Sequence, residues 1–104
     1  MVSRGEVWWA RPAQGKRRPY LVLMRDETIP RVNRVICVPA TTRDRSLATE
    51  VRLDEDDGMP RPCVLSPDNV ALIRHDEFDE RICVLEPPRM REVCRALLRA
   101  TGCA

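Results

Sequence analysis

Two stretches of this sequence decide how we expect the chain to fold: GKRRPYLVLM at residues 15–24 and VICVPATTR at residues 35–43. Each contains one short apolar run, at 20–24 and at 35–38, bounded by proline or by charged residues. Such runs are typical of buried β-strands, because helices need longer segments with a period of 3.6 residues. Consecutive strands joined by a loop of this length usually pair antiparallel.

The pairing of these two strands predicts a polar corner in the sheet. If Met24 lies opposite Val35, an antiparallel register places Arg18 opposite Thr41. A slip of one residue would turn every side chain to the other face, but the two polar clusters would remain close. The sequence therefore predicts that a cation and a hydroxyl group meet at one corner.

The rest of the chain predicts a mainly β, antiparallel body. We expect strands at 6–11, 49–53, 63–65 and 81–85, the 63–65 strand being interrupted by Pro67 and resuming at 70–73, with a short turn or helix around 76–78. After Pro88, apolar residues recur at helical spacing until Gly102 supplies a stop: Met90, Val93, Cys94, Leu97 and Leu98. The pattern predicts one domain over residues 1–104, a strongly bent sheet or barrel closed by a C-terminal helix.

Bulk composition excludes several classes of protein but does not assign one. The chain has 104 residues and a net charge of +2, which is too mild to prove nucleic-acid binding. No segment approaches the roughly 18 uninterrupted apolar residues of a membrane helix, and the N-terminus lacks the apolar run of a signal peptide. We therefore expect a cytoplasmic protein without a membrane span. The five cysteines include no Cys-x-x-Cys pair, so a structural zinc site is not expected.

The two polar clusters carry the candidate chemistry. The cations at 16–18 can hold a phosphate group, since guanidinium forks match its geometry. Thr41 and Thr42 supply hydroxyl groups for a phosphate or a ribose, and Arg43 adds another cation. Each cluster alone is also compatible with an ordinary solvated turn. Their expected convergence favours a binding site.

Other motifs are absent or uninformative. His75 is the only histidine, so an acid–base ribonuclease that uses two histidines is excluded, and its polar neighbours indicate a surface position. The acidic run at 54–57 lacks the spacing of a calcium loop. Trp8 and Trp9 point to opposite faces of their strand, so only one of them can enter the core, and the sequence does not say which.

The motifs together resemble those of a known family. RGEVWWA at residues 4–10, Arg17-Arg18-Pro19, and VPATT at residues 38–42 are similar, in this order, to the MazF/PemK toxin endoribonucleases. The segments at 47–51 and 58–65 and the final helix agree, so the resemblance covers about residues 4–102. It implies an SH3-like barrel of the kind shared with the gyrase poison CcdB. It also implies a homodimer, with RNA in a groove near the interface, and a cognate MazE-like antitoxin.

The activity implied by the resemblance is sequence-specific cleavage of single-stranded RNA without a metal or other cofactor. In that family the ribose 2′-OH attacks the adjacent phosphorus and leaves a cyclic phosphate and a 5′-OH, which inhibits translation when the RNA is mRNA or an exposed loop of tRNA or rRNA. The resemblance gives the catalytic roles to Arg18 and Thr41. The expected RNA-binding residues are Gln14, Lys16, Arg17, Thr42 and Arg43.

Two departures from the family pattern keep other functions open. Ala13 stands where a Glu is common in a longer loop, and Asn69-Val70-Ala71 replaces a Gln-Ile-Arg segment, which removes one cation. These changes predict a different RNA sequence preference or weak activity. The alternatives are a non-catalytic, CcdB-like binder that inhibits gyrase by protein contact, and an inactive homologue that only sequesters antitoxin.

Overall fold

The structure is a computed structural model that describes residues 1–103, and these residues are organised around seven β-strands and one α-helix. The strands are β1 Glu6–Ala10, β2 Arg18–Val22, β3 Arg34–Thr41, β4 Val51–Leu53, β5 Cys63–Leu65, β6 Ala71–Arg74 and β7 Phe78–Val84, and the helix is α1 Pro87–Thr101. Four single-turn 3-10 helices lie in the connections, at Ile29–Arg31, Glu55–Asp57, Pro67–Asn69 and His75–Glu77. The mainly β prediction, with a short helical turn before the last strand, is confirmed.

The register between β2 and β3 is the one predicted from the sequence. The two strands are antiparallel, and the facing pairs are Tyr20 with Pro39, Leu21 with Val38 and Val22 with Cys37. Continued outward, this register brings the start of β2 alongside the end of β3. The predicted polar corner is therefore present.

The other edge of β3 explains the interrupted strand. Residues 34–37 pair with β6, whereas Ala40 and Thr41 pair with β5. The ladder breaks between these two partners, next to Pro39, which has no N–H to donate. The Pro39 carbonyl accepts a hydrogen bond from Ser66 N at 2.9 Å, so this part of its backbone faces the break. As predicted, the strand begun at Cys63 resumes after Pro67.

The sheet order is β4-β5-β3-β2-β1-β7, with β6 beside the first half of β3. The curled sheet buries two apolar clusters. The first cluster lies beneath α1 and includes Val7, Leu21, Val38, Leu65 and Val93, whereas the second includes Ala10, Tyr20, Val22, Val35 and Ile73. Alternate residues of one strand enter different clusters, as the two-residue period of a strand requires.

Two strand starts differ by two or more residues from the sequence prediction, and one residue of the helical apolar stripe differs in burial. Strand β7 begins at Phe78 rather than at residue 81, because it pairs with β1 from Ala10 opposite Phe78 to Glu6 opposite Val84. Strand β4 begins at Val51 rather than at residue 49, because Glu50 N bonds to Leu47 O and closes a turn. In α1, Leu98 is 45% exposed instead of buried.

The end of α1 follows the prediction. Gly102 adopts a left-handed φ of +73°, and its N–H bonds to the last turn of the helix. Within residues 1–103, no helix has the length and apolar character to cross a membrane.

Candidate functional site

The polar corner of the sheet forms the wall of a groove, which we call the cationic groove. Its volume is about 190 Å³. The groove is lined by Trp9, Lys16, Arg17, Arg18, Pro19, Ala40, Thr41, Thr42, Met59, Pro60, Arg61 and Cys63. Strands β1 and β2 supply one wall because Ala10, at the end of β1, pairs with Arg18, at the start of β2.

A second hollow, which we call the polar depression, adjoins the cationic groove. It has a volume of about 250 Å³ and is lined by Arg18, Pro39, Thr41, Arg45, Ser66 and Asn69. Arg18 and Thr41 line both the cationic groove and the polar depression. The guanidinium and the hydroxyl group can therefore contact a chain that runs from one hollow into the other.

The cations of the cationic groove differ in how far they are neutralised. Arg17 Nε donates to Asp79 Oδ2 at 2.8 Å, and Arg17 Cζ lies 4.6 Å from the centre of the Trp9 ring. Among residues 1–103, no carboxylate oxygen lies within 4.0 Å of a side-chain nitrogen of Lys16, Arg18 or Arg61. The groove thus presents positive charge that can attract a polyanion.

Thr41 is oriented by the strand and by the loop that follows it. Thr41 pairs with Val64 of β5, and its Oγ1 accepts a hydrogen bond from Arg43 N at 3.1 Å. A hydroxyl group has one proton and two lone pairs, so the proton of Thr41 is free to donate to a phosphate oxygen. Thr42 is exposed at the edge of the same groove.

Two carboxylates shape the loop between β3 and β4. Glu50 is 8% exposed, and its carboxylate accepts hydrogen bonds from Arg45 N at 3.2 Å and from Leu47 N at 3.1 Å. Asp44 Oδ1 accepts from Ser46 N at 2.7 Å, which supports the left-handed φ of +57° at Ser46. The hydrogen bond from Ser46 N and the nearby Arg52 lower the pKa of Asp44. This loop holds Arg45 beside the polar depression.

Two residues predicted to bind RNA do not line the cationic groove. Gln14 and Arg43 are both exposed and are outside its lining. The turn before Gln14 is anchored elsewhere, because Ala13 N donates to Glu77 Oε2 at 2.9 Å. The structure brings together Lys16, Arg17, Arg18, Thr41 and Thr42 from the predicted set.

The alanines of the two departures from the family pattern lie outside the groove lining, whereas Asn69, which belongs to the second departure, lines the polar depression. Ala13 belongs to the turn anchored by Glu77, and Ala71 of β6 packs against the second apolar cluster. Neither residue lines the cationic groove or the polar depression. Neither alanine therefore contributes to the lining of either hollow.

The far wall of the groove was not predicted. It is formed by residues 59–63, which follow Gly58 in its left-handed conformation, with φ +98°. Met59 is only 3% exposed, so it anchors this segment in the first apolar cluster while Pro60 and Arg61 face the groove. A glycine at a turn was the one local signal, and it does not indicate where the following residues pack.

The side chains of Trp8 and Trp9 lie on opposite faces of β1, as the strand geometry requires. Trp8 packs against the second apolar cluster, with its ring 6.2 Å from that of Phe78, and its Nε1 donates to Glu6 Oε1 at 2.9 Å. Trp9 lines the cationic groove. Trp9 is therefore the tryptophan available to a ligand.

The thiol of Cys37 in the second apolar cluster and the thiols of Cys63 and Cys83 beside the groove behave as apolar groups. Burial raises the pKa of Cys37 to about 12 and that of Cys63 to about 11, so both stay protonated at neutral pH. Cys83 Sγ lies 3.7 Å from Met59 Sδ behind the groove wall. Within residues 1–103, no cluster of three His, Cys, Asp or Glu residues could hold a metal ion.

His75 lies away from the cationic groove and is exposed, as the sequence predicted. Its Nε2 bonds to Val32 O at 2.9 Å, so the ring tethers the turn before β7 to the connection before β3.

Comparison with known proteins extends the geometric evidence over the whole chain. Among proteins of Mycobacterium tuberculosis, this chain is 41% identical to Probable endoribonuclease MazF5 over 105 residues, covering 100% of this chain and 96% of that protein. It is 38% identical over 103 residues to Probable endoribonuclease MazF2, covering 98% of this chain and all of the relative.

Solved structures have the same fold. Mycobacterium tuberculosis toxin MazF-mt6 superposes with a TM-score of 0.84 at 31% identity, covering 93% of this chain and 96% of the other. A mycobacterial endoribonuclease, solved in complex with its cognate antitoxin, superposes over 100% of this chain and 98% of the other with a TM-score of 0.88, and at 23% identity this likeness concerns the fold alone. A family model described as the PemK-like, MazF-like toxin of type II toxin–antitoxin systems matches residues 3–101. The chain therefore belongs to this family of PemK-like, MazF-like toxins.

Proposed function

We propose that this chain is the toxin of a type II toxin–antitoxin system and a sequence-specific endoribonuclease that cleaves single-stranded RNA without a metal ion. The observation that carries the proposal is the position of Arg18 and Thr41 between the cationic groove and the polar depression. The names of the mycobacterial relatives, which are called endoribonucleases, support the same activity. The substrate is mRNA or an exposed loop of tRNA or rRNA.

The proposed reaction is an internal transfer of the phosphodiester. The ribose 2′-oxygen attacks the adjacent phosphorus and releases its proton to solvent, while the bond from phosphorus to the 5′-oxygen breaks and that oxygen takes up a proton from solvent. The products are a 2′,3′-cyclic phosphate and a 5′-OH. The guanidinium of Arg18 carries a positive charge, so it stabilises the negative charge of the phosphorane and donates a hydrogen bond to the leaving 5′-oxygen. The hydroxyl group of Thr41 donates a hydrogen bond to the phosphate and orients the phosphate for attack.

The remaining predicted residues take binding roles in this proposal. Lys16, Arg17 and Thr42 line the cationic groove and contact the phosphates or riboses that flank the cleaved bond. Gln14 and Arg43 are exposed beside these residues, on the two loops that follow β1 and β3, and they contact the outer part of the RNA.

We further propose that the toxin is a cytoplasmic homodimer restrained by a MazE-like antitoxin. The cationic groove joins unneutralised arginines to the apolar surfaces of Trp9 and Pro60, which complements a segment of acidic and apolar side chains. Among residues 1–103, strand β6 is paired with β3 alone. Leu72 in this strand is 55% exposed and Val70 just before it is 41% exposed, which supports the burial of this edge against a second copy.

The test is cleavage of long, defined single-stranded RNAs by purified, antitoxin-free protein in excess EDTA. We expect discrete cuts whose fragments carry a cyclic phosphate and a 5′-OH. Arg18→Ala should slow cleavage by about a hundredfold, because one preorganised donor to the transition state contributes on the order of 3 kcal/mol. Thr41→Val keeps the shape of the side chain but removes the hydroxyl group, and it should also slow cleavage strongly.

A matched control uses Arg91, an exposed arginine of α1 outside the groove lining. Arg91→Ala should cleave like the unmodified protein. If folded protein cuts none of several unrelated mRNAs, tRNAs and rRNAs, the enzyme proposal is wrong, and gyrase inhibition and antitoxin sequestration become the functions to measure.

A further inference from the structure

Strand β7 carries an extra residue near the cationic groove. Its pairing with β1 shifts between Trp9 opposite Glu80 and Ala10 opposite Phe78, so Asp79 has no partner across the ladder. Such a β-bulge re-aims the side chain of the extra residue, and bulges are frequent next to functional sites. Here the bulge brings the Asp79 carboxylate to Arg17, a residue of the groove lining.

The contact between Asp79 and Arg17 leaves much of the guanidinium unused. Arg17 donates to Asp79 Oδ2 through Nε alone, at 2.8 Å. By contrast, Arg89 donates to Asp57 through both Nε and Nη2. Because Nε of Arg17 is occupied and the Trp9 ring lies 4.6 Å from Cζ, the two Nη groups are the donors that this contact leaves for a ligand.

The contact between Asp79 and Arg17 acts through geometry rather than through charge. The side chains of Arg17 and Asp79 are 35% and 44% exposed, and ion pairs exposed to this extent contribute little to stability. The pair has no net charge, so it adds little long-range attraction for a polyanion. However, an arginine side chain that is already ordered loses less conformational entropy when it binds a phosphate or a base.

We propose that Asp79 is a positioning residue for RNA binding, which holds the Arg17 guanidinium over Trp9 and leaves its Nη groups free for the RNA. This inference rests on the proposed function, because RNA is the ligand of the positioned cation. A carboxylate that only stood near the RNA would weaken binding by repulsion. The two roles therefore predict opposite effects when the carboxylate is removed.

The first test measures binding separately from cleavage, by fluorescence anisotropy with a labelled 2′-O-methyl RNA of mixed sequence, which cannot be cleaved. Asp79→Ala should weaken binding about three- to tenfold, although it makes the protein more positive, because Arg17 must then be ordered by the RNA. The loss should be larger at high salt, since salt screens the relieved repulsion but does not restore the lost contact. Asp79→Asn keeps an oxygen that accepts from Arg17 Nε, so it should recover most of the affinity.

Glu80→Ala is the matched control for Asp79→Ala. Glu80 follows Asp79 in the same bulge, is exposed, and makes no ion pair among residues 1–103. This variant should bind the RNA as tightly as the unmodified protein, or more tightly, because it removes only a negative charge. Urea denaturation confirms that each variant is folded.

A double-mutant cycle tests whether Asp79 acts through Arg17. In a protein that carries Arg17→Ala, Asp79→Ala should no longer weaken binding, whereas a general structural defect would weaken binding in both backgrounds. Three results would each overturn the assignment: undiminished affinity of Asp79→Ala at high salt, an equal loss with and without Arg17, or no recovery of affinity in Asp79→Asn.

Cleavage kinetics separate this role from that of the reacting groups. With cleavable RNA, Asp79→Ala should raise KM and leave kcat within about twofold of the unmodified protein, because Arg17 binds nucleotides that flank the cleaved bond. A lower kcat at unchanged KM would also overturn the assignment. If the unmodified protein cuts no RNA but the cycle with uncleavable RNA gives the expected result, the positioning role stands and the endoribonuclease proposal fails.

Discussion

The guanidinium of Arg17 lies over the indole ring of Trp9, with Arg17 Cζ 4.6 Å from the ring centre. The same side chain donates through Nε to Asp79 Oδ2 at 2.8 Å, so its plane is held from two sides. A planar cation fixed in this way can stack on a base and bind a phosphate, whereas a lysine provides charge alone.

The first prediction follows from this arrangement. Arg17→Lys should weaken binding of single-stranded RNA about three- to tenfold, because the charge remains but the stacked plane is lost, and Arg17→Ala should weaken it further. Fluorescence anisotropy with one labelled RNA, measured at two salt concentrations, gives the RNA affinity of both variants. Arg91→Lys is the matched control on α1. Equal affinity for Arg17→Lys and the unmodified protein would show that the guanidinium plane has no role in binding.

A second prediction concerns the far wall of the cationic groove. Gly58 has φ +98°, and a Cβ added there would lie 2.7 Å from Cys83 Cβ. Gly58→Ala should lower the free energy of unfolding by about 1–3 kcal/mol and weaken RNA binding, because the strain displaces Pro60 and Arg61. Urea denaturation measures the first effect.

Gly15→Ala is the control for Gly58→Ala, since a Cβ at Gly15 would meet only the Pro12 side chain, at ordinary distances of 3.7 Å to Cβ and 3.8 Å to Cγ. This variant should be as stable as the unmodified protein, or slightly more stable, because alanine restricts the unfolded chain. Equal stability of the two alanine variants would contradict the predicted clash with Cys83.

The third prediction is a dependence of stability on pH. Asp57 Oδ1 accepts from Arg89 Nε at 2.9 Å, and this bond is the main cause of the lowered pKa of Asp57. A carboxylate whose pKa is lowered by folding stabilises the protein above its ordinary pKa of 3.8, and the contribution is lost as the pH falls through the folded value. Asp57→Asn should therefore cost about 1 kcal/mol at pH 7.

The difference in the free energy of unfolding between Asp57→Asn and the unmodified protein should shrink as the pH falls below 3.8, the ordinary pKa of the Asp57 carboxyl group. Urea denaturation at pH 7, 5 and 3 measures it. Asp56→Asn is the control, since Asp56 is exposed in the same turn and makes no ion pair among residues 1–103. A cost for Asp57→Asn that is the same at every pH would mean that packing, rather than charge, stabilises this contact.

The register of β2 and β3, and with it the polar corner, could be predicted because it depends on two nearby strands with clear apolar patterns. The early start of β7 could not, because Phe78, Asp79 and Glu80 form a mostly polar segment that is held in the sheet by its distant partner, β1. Local propensity does not report such long-range pairing.

The candidate site also contains features that the sequence could predict and features that it could not. Lys16, Arg17, Arg18, Thr41 and Thr42 could be predicted because strand pairing brings their clusters together. The wall formed by residues 59–63 depends on the burial of Met59 in a cluster built by distant strands, which no local pattern reveals. Gln14 was assigned from the family resemblance and Arg43 from its place beside Thr41 and Thr42, and the turns that carry them leave both side chains outside the groove lining.

The last prediction concerns the loop that supplies Arg45. Glu50 accepts backbone hydrogen bonds from Arg45 N and Leu47 N while being 8% exposed, so its loss leaves two N–H groups without their partner. Glu50→Gln keeps the size but removes the charge, and charged hydrogen bonds are stronger than neutral ones. The variant should lose about 1–2 kcal/mol of stability, and Glu50→Ala should lose more.

Hydrogen exchange tests this loop at the two affected amides. The Arg45 and Leu47 amides should exchange at least tenfold faster in Glu50→Gln, and RNA affinity should fall because Arg45 is no longer held beside the polar depression. Glu80→Gln, an exposed glutamate of β7 outside both hollows, is the control and should leave these amides unchanged. Unchanged exchange at Arg45 and Leu47 in Glu50→Gln would mean that Asp44 and the turn at Ser46 suffice to order the loop.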